Sequence, residues 1–115
     1  MEEFGKEKVG TKVSDRIALL TRLQPHQKDF NEPFQVANYG MGGAYYSHLD
    51  YVGGDLDMKR LAKESKERGW PDYAVYGDRM ATFMAYMSDV EVGGATVFPN
   101  MGISVWPKKG DAVLW

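Results

Sequence analysis

Glycine and proline cut the second half of this chain into short pieces. Gly40-Met41-Gly42-Gly43, Gly93-Gly94, Pro99-Asn100 and Pro107-Lys108-Lys109-Gly110 separate apolar runs at 34–39, 44–50, 78–88, 95–98, 103–106 and 111–115. Such residues suit turns, because glycine reaches positive φ without a Cβ clash and proline presets the φ of a turn. Phe34-Gln35-Val36-Ala37-Asn38-Tyr39 mixes apolar and polar positions as a half-buried strand does. With 44–50 it predicts a hairpin around the glycine-rich turn. Segment 78–88 is apolar on both parities, with Met80, Thr82, Met84 and Tyr86 against Ala81, Phe83, Ala85 and Met87. A strand covered on both faces has that pattern. A helix also fits, but Thr82, Phe83, Tyr86 and the following glycines favour strand. Short strands at near-regular spacing predict a sandwich or an open barrel.

Two stretches have helical character. Val13, Ile17, Leu19 and Leu20 recur at helical spacing, with Leu23 and Phe30 extending the same face. Ser14 and Asp15 suit a first turn and Pro25 ends the segment, which predicts a helix at about 13–23 and a frayed, polar 1–12. Residues 55–68 are charged and helix-favouring, with Asp55 as cap and Gly69 and Pro71 as stops. Their few apolar positions predict a solvated helix inserted between strands.

Composition narrows the function. The 115 residues carry 14 Lys and Arg against 16 Asp and Glu, a net charge of −2, which argues against binding nucleic acid through a basic face. The apolar fraction of 43% is that of a folded chain, and no apolar run approaches the length of a membrane span. There is no cysteine, so disulfides and thiolate metal sites are excluded. Met1-Glu2-Glu3-Phe4-Gly5-Lys6 lacks the apolar core of a secretory leader. The sequence stops at Trp115 inside the apolar run 111–115, which reads as a fragment of a larger domain.

Of the two histidines, His26 lies in a polar stretch and reads as an exposed loop residue. His48 stands in Ser47-His48-Leu49-Asp50. On an extended segment, residues two apart point to the same side, so an imidazole and a carboxylate would project together. Two histidines and one carboxylate on one octahedral face bind non-haem Fe(II) and leave the opposite face open. His-x-Asp alone is equally an ordinary surface pair. A hydrolytic dyad is the third possibility, but no serine or cysteine stands in a recognisable nucleophile elbow.

Longer blocks weigh the choice. Gln35–Asp50 resembles the metal-site hairpin of the prolyl 4-hydroxylase family. Arg79–Pro99 and Gly102–Trp115 resemble two later blocks of that family, in the same order, and the wording is nearest to its collagen-type members. The resemblance covers about 13–115. It implies an α+β domain, mainly β with flanking helices, forming part of a double-stranded β-helix (jelly roll), so that 1–115 is a partial Fe(II)/2-oxoglutarate dioxygenase domain. It implies hydroxylation of peptidyl proline in procollagen-like chains with O2, Fe(II) and 2-oxoglutarate, release of succinate and CO2, and ascorbate to keep the iron reduced. By motif match His48 and Asp50 are iron ligands and catalytic residues, Tyr39 and Thr82 bind 2-oxoglutarate, and Tyr45 lies near the substrate proline. For each of these last three, ordinary packing in a strand is the competing reading. Trp106 and Trp115 read as core, and Lys108-Lys109 as a solvated turn.

The family also uses a distal histidine as third iron ligand and a lysine that pairs with 2-oxoglutarate. Neither has a counterpart here, and the resemblance places both, with the closing strands, beyond Trp115. The 115 residues alone are therefore expected to be inactive. The charged helix at 55–68 could form a substrate-side lid. The resemblance further implies the lumen of the endoplasmic reticulum and protein disulfide isomerase as β subunit. The alternatives are a non-catalytic jelly-roll module that binds a protein or Pro-rich peptide, and a hydroxylase of hypoxia-sensing or lysyl type; in the enzyme or the module, Tyr45, Tyr46 and Tyr51 could cradle a polyproline II strand.

Overall fold

Residues 6–25, 31–51, 58–69 and 73–115 are described by a computed structural model. His26, Phe30, Asp55 and Pro71 lie outside the described residues, and with them the loop role of His26, the extension of the first apolar face, and the cap and stop of the inserted helix. The elements in chain order are α1 (Lys6–Thr21), α2 (Met58–Arg68), α3 (Tyr73–Tyr76), β1 (Phe83–Ala85), β2 (Thr96–Phe98), β3 (Ile103–Val105) and β4 (Ala112–Leu114). Helix and antiparallel strand are both present, but the helices of 16, 11 and 4 residues outweigh four strands of 3 residues each. The described part is thus not mainly β. The chain divides into two compact units, one from Met1–Asn38 and Leu49–Met80, the other from Tyr39–His48 and Ala81–Trp115.

In the first unit, α1 begins well before Val13. The covered positions are Gly10, Val13, Ser14, Ile17, Ala18 and Thr21, one stripe of the 3.6-residue period. Leu19 and Leu20 fall off that stripe and are 82% and 73% exposed, which corrects the expected face. The stripe runs instead through small residues, and a Cβ on Gly10 would meet the Phe34 ring at 3.8 Å. The helix ends where Arg22 turns to a φ of +60° and its N–H bonds the Ala18 carbonyl at 2.8 Å. The Thr21 hydroxyl donates to the Ile17 carbonyl and accepts the Leu23 N–H. Helix α2 has the expected solvated character, with i,i+4 pairs Arg60–Glu64 and Lys63–Glu67 worth a few tenths of a kcal/mol each. It packs on α3, where Tyr73 is the buried large apolar side chain among the described residues.

The second unit holds two antiparallel ladders. β2 and β3 pair through Thr96↔Val105, Val97↔Ser104 and Phe98↔Ile103. A single 3₁₀ turn, Pro99–Met101, joins them, and Gly102 closes it in the left-handed region with its N–H on the Pro99 carbonyl. β1 and β4 pair through Phe83↔Leu114, Met84↔Val113 and Ala85↔Ala112. Thr82 and Trp115 extend this ladder by exchanging both backbone bonds, at 2.9 and 3.1 Å. At the other end Gly110 and Asp111 both bond Tyr86, a bulge. Phe98 and Trp115 meet edge to face at 5.4 Å, and the Tyr86 hydroxyl bonds the Thr96 hydroxyl at 2.7 Å. These contacts join the two ladders. Two-stranded ladders cover little, so the two-sided burial expected of 78–88 is absent: Met80 and Met87 are 79% and 63% exposed. Trp106 is likewise exposed at 65%, not a core residue.

The hairpin expected at 34–50 does not form: among the described residues this stretch carries no strand. Gly43 N–H bonds the Gly40 carbonyl at 2.9 Å, and positive φ falls on Gly42 but not on Met41. That is a type II turn, whose twist splays flanking strands instead of pairing them.

Gly110 has a φ of +93° in the turn closed by the Asp111 N–H on the Lys108 carbonyl. Gly110→Val is expected to lower stability by about 1–2 kcal/mol in denaturant unfolding. Lys109→Ala, on the exposed neighbour, should stay within about 0.5 kcal/mol.

Candidate functional site

His48 closes the segment that leads from the Gly40–Gly43 turn. The turn is specified by glycine, since a Cβ on Gly43 would stand 2.9 Å from the Gly40 carbonyl oxygen. The His48 ring is fixed from two sides. Its Nδ1 lies 2.7 Å from the Tyr46 carbonyl oxygen, which can only accept, so Nδ1 carries the proton and the ring lone pair is on Nε2. The Tyr45 ring packs against the His48 ring in a T-shaped arrangement, centroids 4.3 Å apart and planes at 71°. Histidines that bind metals through Nε2 are commonly oriented in this way, by an Nδ1–H bond to a carbonyl. The donor chemistry therefore fits a divalent metal at His48.

Asp50 sits at a bend in the first unit. Its backbone carbonyl accepts a bond from Arg79 Nη1 at 3.0 Å. The other edge of the same guanidinium grips Glu32 in a fork, with Nε donating to Oε1 at 2.5 Å and Nη2 to Oε2 at 2.9 Å. The Tyr73 hydroxyl donates to the same Glu32 Oε1 at 2.5 Å. Four distant points of the chain thus meet on one guanidinium–carboxylate pair. Burial alone would raise the Glu32 carboxyl, but the hydrogen bonds from Arg79 and Tyr73 and the Arg79 charge outweigh it, and its pKa is lowered. Burial first, then the bond to Glu32 and its charge, push the Tyr73 phenol up to about 12. The bonds to Glu32 raise Arg79 further above its ordinary value, against the opposing effect of burial.

Of the residues singled out by the motif, Tyr45 and His48 are in direct ring contact. Tyr39 is exposed at 55%, beside the turn, and is not packed in a core. Thr82 is half-buried and fixed by its backbone pairing with Trp115. Among the described residues, no group of three His, Cys, Asp or Glu side chains could hold a metal ion. Sequence reasoning missed Glu32, Tyr73 and Arg79 as a cluster. They lie 41 and 47 residues apart across the pairings, and no local period links them. The available signal was the charged pair Asp78-Arg79 at the head of a largely apolar segment.

Over almost its whole length the chain is similar to a segment of a prolyl hydroxylase subunit. The relatives are prolyl 4-hydroxylase α subunits. Subunit alpha-2 of Gallus gallus is 44% identical over 113 residues, 98% of this chain and 18% of that protein. Subunit alpha-1 of Homo sapiens is 46% identical over 107 residues, 93% of this chain and 17% of that protein. Subunit alpha-2 of Caenorhabditis elegans is 38% identical over 104 residues, 90% of this chain and 17% of that protein. The chain spans less than a fifth of the length of these relatives. No family model and no solved structure matches it. No described helix is long and apolar enough to cross a membrane.

The Glu32–Arg79–Tyr73 cluster sets two pH limits. A lowered Glu32 pKa contributes stability above the ordinary value of 4.5 that is lost as pH falls through the folded value. A raised Tyr73 pKa contributes stability below 10 that is lost as pH rises through about 12. In an ultraviolet titration one phenolate is expected to appear near pH 12, above the ordinary tyrosine value of 10, and Glu32→Gln should lower it while the contribution of burial, the largest one, remains. Titration of every tyrosine near 10 in the unmutated protein would contradict the cluster.

Proposed function

We propose that this chain is part of the catalytic domain of a 2-oxoglutarate- and Fe(II)-dependent prolyl 4-hydroxylase acting on procollagen-like, Pro-rich chains. The observation that carries the reading is the extent of the similarity: 44% identity over 113 residues, well beyond the His48 segment. The domain is a jelly roll, of which these residues supply a part. His48 would hold iron through Nε2 and Asp50 through its carboxylate. Iron held there would supply the activation of O2 that couples conversion of 2-oxoglutarate to succinate and CO2 with hydroxylation of proline at C4, with ascorbate to keep it reduced.

The chain's own residues do the positioning. The Tyr46 carbonyl sets the His48 tautomer and Tyr45 limits the tilt of the ring. Tyr45 is also 69% exposed, so it can meet a substrate proline while it stays in contact with the His48 ring. The Tyr39 hydroxyl, exposed beside the turn, donates to a 2-oxoglutarate carboxylate, and Thr82 lines the same pocket. Exposed Tyr46 and Tyr51 offer stacking surfaces to an extended proline-rich strand. In this reading the enzyme works in the lumen of the endoplasmic reticulum with protein disulfide isomerase as β subunit.

The test uses the protein at its natural length with Fe(II), 2-oxoglutarate, ascorbate and a Pro-Pro-Gly repeat peptide. Mass spectrometry is expected to find hydroxyproline in step with succinate. His48→Ala and Asp50→Ala should abolish both products, and hydroxylation surviving in either variant would refute the assignment. Tyr39→Phe, which removes one bond to a charged group, is expected to raise KM for 2-oxoglutarate about 10- to 100-fold with little change in iron affinity.

A further inference from the structure

We infer that Arg79, braced by Glu32 and Tyr73, positions Asp50 for metal binding by holding its main chain. The inference rests on the reading of Asp50 as an iron ligand. Asp50 lies at a bend. The direction of a carboxylate follows from the backbone that carries it, so a bond that restrains that backbone bears on where the carboxylate points. Arg79 Nη1 supplies one at 3.0 Å, on the carbonyl of Asp50 itself.

The restraint is stiff because the guanidinium is already held on its other edge. An exposed ion pair of two long side chains would be worth little. This one is a bidentate fork, both side chains are 30% exposed or less, and the carboxylate accepts a further bond from Tyr73. Tyr73 is itself only 5% exposed, so the far end of the chain of bonds is anchored. Only arginine can do this. Its rigid fork presents Nε and Nη2 along one edge and Nη1 on the other, whereas a lysine would offer a single ammonium. Partners that orient a metal ligand are worth about 10- to 100-fold in metal affinity.

The test compares the unmutated protein at its natural length with Glu32→Gln, Arg79→Lys, Tyr73→Phe and Asp50→Ala. Anaerobic Fe(II) titration gives the affinity, hydrogen exchange follows the amides of 49–51, and a thermal melt reports stability. Glu32→Gln and Arg79→Lys are expected to weaken Fe(II) binding about 10- to 100-fold and to speed exchange at 49–51. Tyr73→Phe, which removes one hydroxyl, should do the same more weakly and serves if the charged variants do not fold. Iron affinity unchanged while exchange rises would overturn the inference and leave the cluster a structural staple. Exchange unchanged in the folded variants would overturn it as well. Asp50→Ala is expected to lose iron. If it binds iron as the unmutated protein does, the ligand reading fails first, and this inference falls with it.

Discussion

The guanidinium of Arg79 and the carboxylate of Glu32 are 47 residues apart in sequence, and their pairing organises the first unit. The apolar contribution there is thin: among the described residues the buried large apolar side chain is Tyr73, and its hydroxyl is spent on Glu32. Taking a charge partly out of water is unfavourable unless every remaining acceptor and donor finds a partner. Here the fork fills one guanidinium edge, the Asp50 carbonyl receives Nη1, and Tyr73 occupies a further lone pair of Glu32. Removing either charge would leave the other half-buried and poorly solvated. The same cluster ends on the backbone of a candidate metal ligand, so the constraint on folding is also a constraint on the site.

The second unit is built differently. Its order comes from two short ladders and from turns set by glycine in the left-handed region, Gly102 between β2 and β3 and Gly110 just ahead of β4. Few side chains are buried, and the joining contacts are specific ones: Phe98 on Trp115, the Tyr86 hydroxyl on Thr96, and Asp89 accepting the Lys109 N–H. His48 belongs to this unit and takes its orientation from its own neighbours, the Tyr46 carbonyl and the Tyr45 ring. The His48 ring and the Asp50 main chain are each held by a local device within their own unit, ring packing for the imidazole and an ion pair for the main chain.

Local chemistry in the sequence was a good guide where local chemistry decides. Thr96–Phe98, Ile103–Val105 and Ala112–Leu114 fall where proline and glycine bracket β-favouring runs, because turn residues and strand formers act over a few positions. The solvated character of α2 followed from its charges in the same way. Residues 34–50 misled because composition alone does not distinguish a type II turn from a hairpin turn: both accept glycine, and only the φ of Met41 separates them. In α1 the leucines marked the wrong face, since Gly10, Ser14 and Ala18 leave room for a close approach that a hydrophobicity pattern does not register. His48 and Asp50 were visible as a tripeptide, and Tyr45 by its place in the motif. The Arg79 cluster was not visible, because an ion pair across 47 residues leaves no period to read.

The most direct test of the central claim is X-ray absorption at the iron edge of the natural-length protein loaded anaerobically with Fe(II). The account predicts imidazole scattering at the bound iron of the unmutated protein that loses one ring in His48→Ala, and too little bound iron in Asp50→Ala to give that spectrum. Iron spectra identical in all three proteins would contradict it.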